Sequence, residues 1–512
     1  MPLPRASDAP GTLAAATQDR LPVRPRRTPR ALAHLALAAL AATLLGACAT
    51  PPLDRYLLEA PKQPVVIEGA HGPLGKARTD AILAKLKAQS PQTSLLDRHV
   101  AIEEALTDTT LTAGNGVSLL EDGKATYTAM LAAMRAAKSS INMETYIFED
   151  DDVGAEFASV LEARAKAGVK VRLIYDSVGS NKTPKEFFAA MSSAGVQVLE
   201  FNPLAPETVL KSGLMALNHR DHRKLTVVDG KVAFLGGINI SGVYGSMGSS
   251  GRGSAGSGGV SGSKGSGDGR NYDPKDPPFD KRPWRDTQVQ VQGPAVADLQ
   301  RSFLRHWAEQ KKEEPSTDKA FFPPLSAQGK DLVRVIAGEP TDTGVNAAYL
   351  AVISAIDHAE TDVRITMAYF VPHDDLLRAL KEAAQRGVDV KLILPSRTDS
   401  WLVFQAGRSY YEDLLEAGVK VYERKTRLLH AKTATIDGVW STVGSTNLDW
   451  RSLVDNDELN AVVLGSEFAS QMNVVFDKDL RDSNQITREG WAHRGIEDRM
   501  KEAAARAWAR LL

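Results

Sequence analysis

One set of spacings occurs twice in the chain, 208 residues apart, and it constrains the fold more than any other feature. His222, Lys224, Asp229, Gly236 and Asn239 are matched by His430, Lys432, Asp437, Gly444 and Asn447. His to Lys is two residues in both copies, His to Asp seven, His to Gly fourteen and His to Asn seventeen. Chance does not produce four shared spacings, so the unit is duplicated and the chain folds as two similar halves. The surroundings repeat as well. Residues 142–148, 156–167 and 169–175 read as strand, helix and strand, and the order returns at 363–371, 376–385 and 388–394. Gly-Val-Lys-Val-Arg-Leu-Ile-Tyr at 168–175 stands against Gly-Val-Asp-Val-Lys-Leu-Ile-Leu at 387–394, each Gly ending a helix before a buried strand. The expected fold class is α/β: two similar α/β-sandwich halves, residues 97–330 and 331–490, with one active site between them.

The repeated residues suit phosphoryl chemistry. A spacing of two along a strand puts His and Lys on one face. Imidazole acts as a nucleophile or as a general acid and base near neutral pH. Lysine ammonium and asparagine amide groups are donors for non-bridging phosphate oxygens. One set is half a site; two facing sets put a nucleophile on one side of phosphorus and a proton donor on the other, as in-line displacement demands. The motifs bring no Cys or acidic ligand group with them, so the expectation is a site without metal or other cofactor.

These residues carry a resemblance. His222/Lys224/Asp229 and His430/Lys432/Asp437 resemble the paired HKD motifs of the phospholipase D superfamily. The flanks at 218–224 (Asn-His-Arg-Asp-His-Arg-Lys), 236–239 and 444–452, with Asn456 and Glu458, are similar to bacterial cardiolipin synthases. So are 144–148 (Glu-Thr-Tyr-Ile-Phe) and 284–286 (Trp-Arg-Asp). The likeness runs over roughly residues 97–490. It implies a phosphatidyl-histidine intermediate: one His attacks the phosphodiester, and the other protonates the leaving alcohol and then deprotonates the incoming one; the sequence does not tell the two apart, and His222 is taken as the nucleophile. It implies that Lys224, Lys432, Asn239 and Asn447 hold phosphate oxygens and that a carboxylate supports each His, Glu458 being assigned to His430 and Asp286 to His222. Asp229 and Asp437, grouped with the catalytic motif, are structural supports in such proteins. The implied substrates are phosphatidylglycerol and a second lipid alcohol, handled by a monomer that is an internal pseudo-dimer. A hydrolytic phospholipase D, a nuclease and a non-catalytic envelope lipoprotein are the alternatives. Two features depart from the pattern: the paired transmembrane helices that open the best-known cardiolipin synthases are absent, and a long Gly/Ser insert is present.

The N-terminus reads as an address. Residues 1–30 hold six arginines against two aspartates, residues 31–47 carry no formal charge, and Leu45-Gly46-Ala47-Cys48 ends the stretch. A basic region, an apolar region and small residues before a cut describe a secretory leader. The tetrapeptide resembles a bacterial lipobox, in which Cys48, the sole cysteine of the chain, is acylated. A leader over 1–47, a tether with a helix over 48–96 and a lipid anchor on the periplasmic face of the outer membrane are expected. With 62 basic and 63 acidic residues, nothing favours bulk binding of nucleic acid. Residues 242–269 hold twelve Gly and eight Ser, too little apolar surface to fold, and read as a solvated loop at the rim of the site, inert or acting as a lid. His219 is read as a solvated neighbour of the motif, and Tyr146 and Tyr369 as core or rim aromatics. The last stretch, with Met500, Ala504, Trp508, Leu511 and Leu512 against Arg499, Lys501, Arg506 and Arg510, reads as an amphipathic helix over 491–512 that packs its apolar face on the body in preference to a membrane.

Overall fold

The computed structural model describes residues 65–107, 109–203, 218–245, 282–339 and 346–512. The leader, Cys48 and insert residues 246–281 lie outside them. Among the described residues the main sheet of the first half is built from β1 Leu111–Glu121, β2 Ser140–Thr145, β3 Lys170–Asp176, β4 Gln197–Phe201, β5 Lys224–Val228, β6 Val232–Gly236 and β7 Thr287–Gln292. They pair in the order β4-β3-β2-β5-β6-β7-β1, with β4, β3 and β2 parallel and the rest antiparallel. The second half repeats this with β8 Asp331–Gly338, β9 Asp362–Met367, β10 Asp389–Pro395, β11 Lys420–Arg424, β12 Lys432–Ile436, β13 Trp440–Gly444 and β14 Asn456–Leu464. Their order is β11-β10-β9-β12-β13-β14-β8, so each strand occupies its counterpart's place. Strands β1 and β8 pair antiparallel and join the two sheets at their edges.

Helices α1 Asp122–Ala136, α2 Asp152–Lys166 and α3 Lys185–Ser193 cover the outer face of the first sheet, burying Tyr127, Met130, Phe157, Leu161 and Phe188. Between the sheets lies a shared core, where Val289, Leu235 and Leu225 meet Val333, Val443 and Ala461, closed by α4 Ala295–Lys311. The outer layer of the second half holds α5 Ala347–Asp357, α6 Asp374–Gln385, α7 Trp401–Arg408 and α8 Tyr411–Glu416. The repeated glycines do the same work twice. Gly168 (φ +87) and Gly387 (φ +94) follow α2 and α6, and the paired bonds Val169 N–H to Arg164 O and Val388 N–H to Ala383 O close both helices in one left-handed cap.

Both ends of the chain depart from the sequence reading. From residue 65 the expected tether is folded: the strand Ile67–Gly69 pairs with β1. The helix Leu95–Leu106, divided between tether and first half on the sequence, packs on the second half instead. There His99 meets the Ser354 hydroxyl at 2.9 Å, and Trp440 donates its indole N–H to Glu103 at 2.9 Å. At the other end, α9 Trp450–Val454 and α10 Ser466–Arg481 precede the last helix, α11 Ile496–Arg506. α11 does not pack by its apolar face. It buries Glu502 and Ala505, while Ile496, Met500 and Trp508 are 79%, 69% and 57% exposed. Glu502 is drawn inward by ion pairs to Arg408 and Arg494, and that turns the apolar side to solvent.

Candidate active site

Each motif histidine stands just ahead of the strand that its lysine opens, at the seam where the halves meet. The pair Arg220–Asp221 runs parallel to Asn456–Asp457, and the His222 N–H donates to the Asp457 carbonyl at 2.9 Å. The second half mirrors this: Leu429 bridges Arg285, and the His430 N–H donates to the Arg285 carbonyl at 2.8 Å. Each His is thereby stitched to the residue that precedes a carboxylate of the opposite half. His222 Nδ1 lies 3.0 and 3.1 Å from the two Glu458 oxygens, and His430 Nδ1 lies 2.7 Å from Asp286. This reverses the sequence assignment of Glu458 to His430 and Asp286 to His222. Each carboxylate does follow its own half's motif in the chain, but Glu458 on β14 and Asp286 just ahead of β7 are presented across the seam to the other half's histidine.

The two carboxylates are held as anions. Burial alone would raise Glu458, yet His222, Lys224 and the Ser445 hydroxyl, at 2.5 Å, bring it down to about 2. Ser452 adds a second hydroxyl at 2.7 Å. Asp286 is lowered against burial by its bond from His430 and by Lys432. Burial takes the imidazoles the other way. His222 falls to about 4, burial outweighing the pull of Glu458, and His430 falls through burial and the nearby Lys432 despite Asp286. At neutral pH His222 is then an uncharged ring with Nδ1–H donating to Glu458, which leaves the Nε2 lone pair for chemistry.

Lys224 and Lys432 are both buried. Lys224 donates to the His222 carbonyl and Lys432 to the His430 carbonyl at 2.6 Å. Burial lowers Lys224 to about 7 and Lys432 to about 8. Glu458 also acts on Lys432 and Asp286 on Lys224, so the two sets share one electrostatic site. Tyr146 packs edge-on against His222 at 5.2 Å, with the Lys224 ammonium 5.3 Å from its ring. Tyr369 holds the matching place, 6.4 Å from His430 and 6.0 Å from the Lys432 ammonium. Both tyrosines, read from the sequence as core or rim aromatics, stand beside the motif histidines.

Other residues fall differently. Asp229 and Asp437 sit at the far ends of β5 and β12, at φ +53 and +51, and reach no histidine. The Asp229 carboxylate accepts the N–H groups of Lys138, Ser139 and Ser140, and Asp437 those of Glu360, Thr361 and Asp362. The contacts of both carboxylates are thus with backbone at the start of β2 and β9. Asn239 is engaged by protein, accepting the Ile147 N–H at 3.1 Å and donating to the Tyr244 hydroxyl at 3.0 Å. Asn447 is buried in the matching turn, its N–H donating to Ser452. His219 pairs with Asp457 at 3.0 Å.

Sequence reasoning missed Tyr244, and it noted Trp284 only as part of a resembling flank, with no role. The Tyr244 hydroxyl lies 3.2 Å from His430 Nδ1, and the Trp284 ring lies 5.5 Å from the same imidazole. Tyr244 stands inside the stretch read as featureless Gly/Ser sequence, where a lone aromatic was the available signal. Also unforeseen is a buried triad behind His222, in which Glu144, Asp221 and His306 lie within metal-ligand reach of one another. His306 Nδ1 meets Glu144 at 2.5 Å, and the Arg223 guanidinium lies 3.9 Å from the same carboxylate, supplying the positive charge within the protein.

Comparison with known proteins gives this geometry its family. The description "Cardiolipin synthase, PLD-like domain" matches residues 130–243 and 352–480, one segment in each half. The cardiolipin synthase of Halalkalibacterium halodurans is 36% identical over 395 residues, covering 77% of this chain and 72% of that one. The probable cardiolipin synthase of Bacillus subtilis is 30% identical over 401 residues, covering 78% and 72%. Among solved structures, the phosphatidylserine synthase of Haemophilus influenzae aligns with a TM-score of 0.56 at 11% identity, over 80% of this chain and 96% of that one, a likeness of fold. With its duplicated motif, its shared site and relatives matched over most of their length, the chain belongs to the cardiolipin synthase family of the phospholipase D superfamily.

Proposed function

We propose that the protein is a phosphatidyltransferase that makes cardiolipin by moving a phosphatidyl group from phosphatidylglycerol to the hydroxyl of a second lipid. One observation carries the reading: two histidines, each held at Nδ1 by a buried carboxylate of the opposite half, share one site with two lysines. In the first step His222 Nε2 attacks phosphorus, the bond from phosphorus to the glycerol oxygen breaks, and His430, protonated with the bound anionic phosphodiester and Asp286 beside it, gives that oxygen its proton. In the second step His430 takes the proton of the incoming alcohol, whose oxygen attacks phosphorus and expels His222. Lys224 and Lys432 neutralise the non-bridging oxygens, with charge supplied by the protein, so turnover is expected to continue in EDTA.

Expression in a cardiolipin-null host followed by lipid extraction and chromatography tests the reading. Cardiolipin should appear, and should vanish with either His222→Ala or His430→Ala. Phosphatidic acid alone would replace the transferase with a hydrolase, and no change in phospholipids would overturn both. We further place the protein on the periplasmic face of the cell envelope, anchored through acylated Cys48, a residue outside those described.

A further inference from the structure

We infer that the outward face of α11 is a docking surface for an anionic phospholipid bilayer, set beside the active site. In a globular helix the apolar stripe turns inward and the charged face outward. α11 is built the other way. Ile496, Met500, Ala503, Ala504 and Ala507 are all exposed and fall on one stripe roughly 100° wide, a width that in a packed helix marks the buried side. Trp508 stands at the stripe's edge, 57% exposed, a residue suited to the boundary between headgroups and acyl chains. The docked face carries Glu502, whose carboxylate receives Arg494 at 2.9 Å and Arg408 at 3.4 Å. Ion pairs therefore anchor the helix to the body, and its large apolar side chains serve no packing.

Charge names the occupant. Arg499 and Arg506 border the stripe on one side, while on the other Lys501 is ion-paired at 2.6 Å with exposed Glu497. Residues 488–512 hold six basic against four acidic residues in a chain whose net charge is −1, and one of the four acids is the inward Glu502. An apolar stripe with two arginines along one border fits a lipid surface with negative headgroups. Position points the same way. α7 begins two residues after Asp399, which accepts the Tyr369 hydroxyl at 2.6 Å in the wall of the site. The other end of α7 carries Arg408, the partner of Glu502. One short helix, about 12 Å long, thus links the wall of the site to the lipid-facing helix. The choice of a bilayer over another apolar partner rests on the lipid-transfer reading, but the binding itself can be measured without turnover.

The test uses the full-length chain carrying Cys48→Ser, with an environment-sensitive fluorophore on Met500→Cys and, as control, on exposed Ser193→Cys of α3. Vesicles of phosphatidylglycerol mixed with phosphatidylcholine should blue-shift the label at 500 and expose it to quenching by nitroxide-labelled acyl chains. Pure phosphatidylcholine should do so far less, and the control label should not respond. Arg499→Glu should weaken binding about tenfold or more. Absence of a shift at 500, or equal quenching at 193, would overturn the proposal. A lipid-free shift that grows with protein concentration and tracks dimers in light scattering would also overturn it, assigning the face to a second copy. Binding without cardiolipin formation would leave the docking surface standing and remove the transferase reading.

Discussion

The carboxylate behind each imidazole comes from the other half, and this exchange sets which residues act in the same chemical step. Glu458 belongs with His222, the proposed nucleophile, and Asp286 with His430, the proposed acid. A substrate whose leaving group needs no proton, such as the p-nitrophenyl ester of phosphatidic acid, separates the steps. With phosphatidylglycerol, His430→Ala and Asp286→Asn should each lose about 10²–10⁴-fold, and the activated ester should restore most of that loss in the first, nucleophilic step. The same ester should not rescue His222→Ala or Glu458→Gln, because their defect is in attack. Rescue of Glu458→Gln in its place would return Glu458 to His430. The lysines set a pH limb. Burial disfavours the ammonium and brings Lys224 to about 7 and Lys432 to about 8, so both are cations below these values and neutral amines above them. The free site should therefore lose phosphate affinity as pH rises, with kcat/KM falling from about pH 7–8 upward. The limb in kcat should lie further alkaline, since a bound phosphate anion favours protonated lysine. A flat kcat/KM up to pH 10 would show that the lysines keep ordinary affinities. None of these values could be read from the sequence, because burial and cross-seam neighbours cause them.

Turns and caps are where local sequence was most informative. Asp-Gly after each motif strand predicts a tight hairpin, and both residues are left-handed in each copy: Asp229 and Gly230 at φ +53 and +62, Asp437 and Gly438 at +51 and +61. The identical turns differ in their surroundings, which the sequence does not reveal. A Cβ on Gly230 would stand 2.3 Å from the Phe321 carbonyl oxygen, whereas one on Gly438 meets nothing within 4 Å. Gly438→Ala should cost about 1 kcal/mol for the left-handed backbone alone, and Gly230→Ala distinctly more. Thermal midpoints of the two variants should keep that order, and equal losses would contradict the contact. Asp229→Ala strips a carboxylate from three backbone N–H groups and should cost about 1–3 kcal/mol. It lies some five strand residues, about 16 Å, from Lys224, so activity per folded molecule should fall less than tenfold. A collapse of kcat in a variant with an unchanged melting midpoint would return Asp229 to the catalytic group. Helix periodicity was less informative. In α11 it gave the helix and the stripe but not the direction of the stripe, which Arg408 and Arg494 decide from outside the element.

At the scale of the whole molecule, duplication made two α/β halves and a shared site legible, since matched spacings need nothing beyond the chain itself. The seam was not legible. Two-fold pseudo-symmetry places a carboxylate near both histidines whether it serves its own half or the other, and only the parallel bridges Asn456 to Arg220 and Leu429 to Arg285 distinguish the two. The second half also draws in Leu95–Leu106, because His99 and Glu103 find Ser354 and Trp440 there, long-range partners that no local pattern announces. The last expectation concerns how such a body meets an insoluble substrate. A diacylated Cys48 would give the two-chain attachment needed for stable anchoring, and the α11 face would add a weaker contact that turns the site toward the same bilayer. Tethering makes that second contact intramolecular, so removing the anchor should cost more in the cell than the α11 face alone can recover. Cys48→Ser should end labelling by an alkyne fatty acid and shift the protein from the membrane fraction to a soluble or unprocessed form. Cardiolipin formation should drop sharply in cells, while activity in detergent micelles, where substrate reaches His222 and His430 freely, should stay within a few-fold of the parent. A parent chain that takes up no label and fractionates with the cytosol would remove the anchor and its periplasmic address, leaving the chemistry of the seam intact.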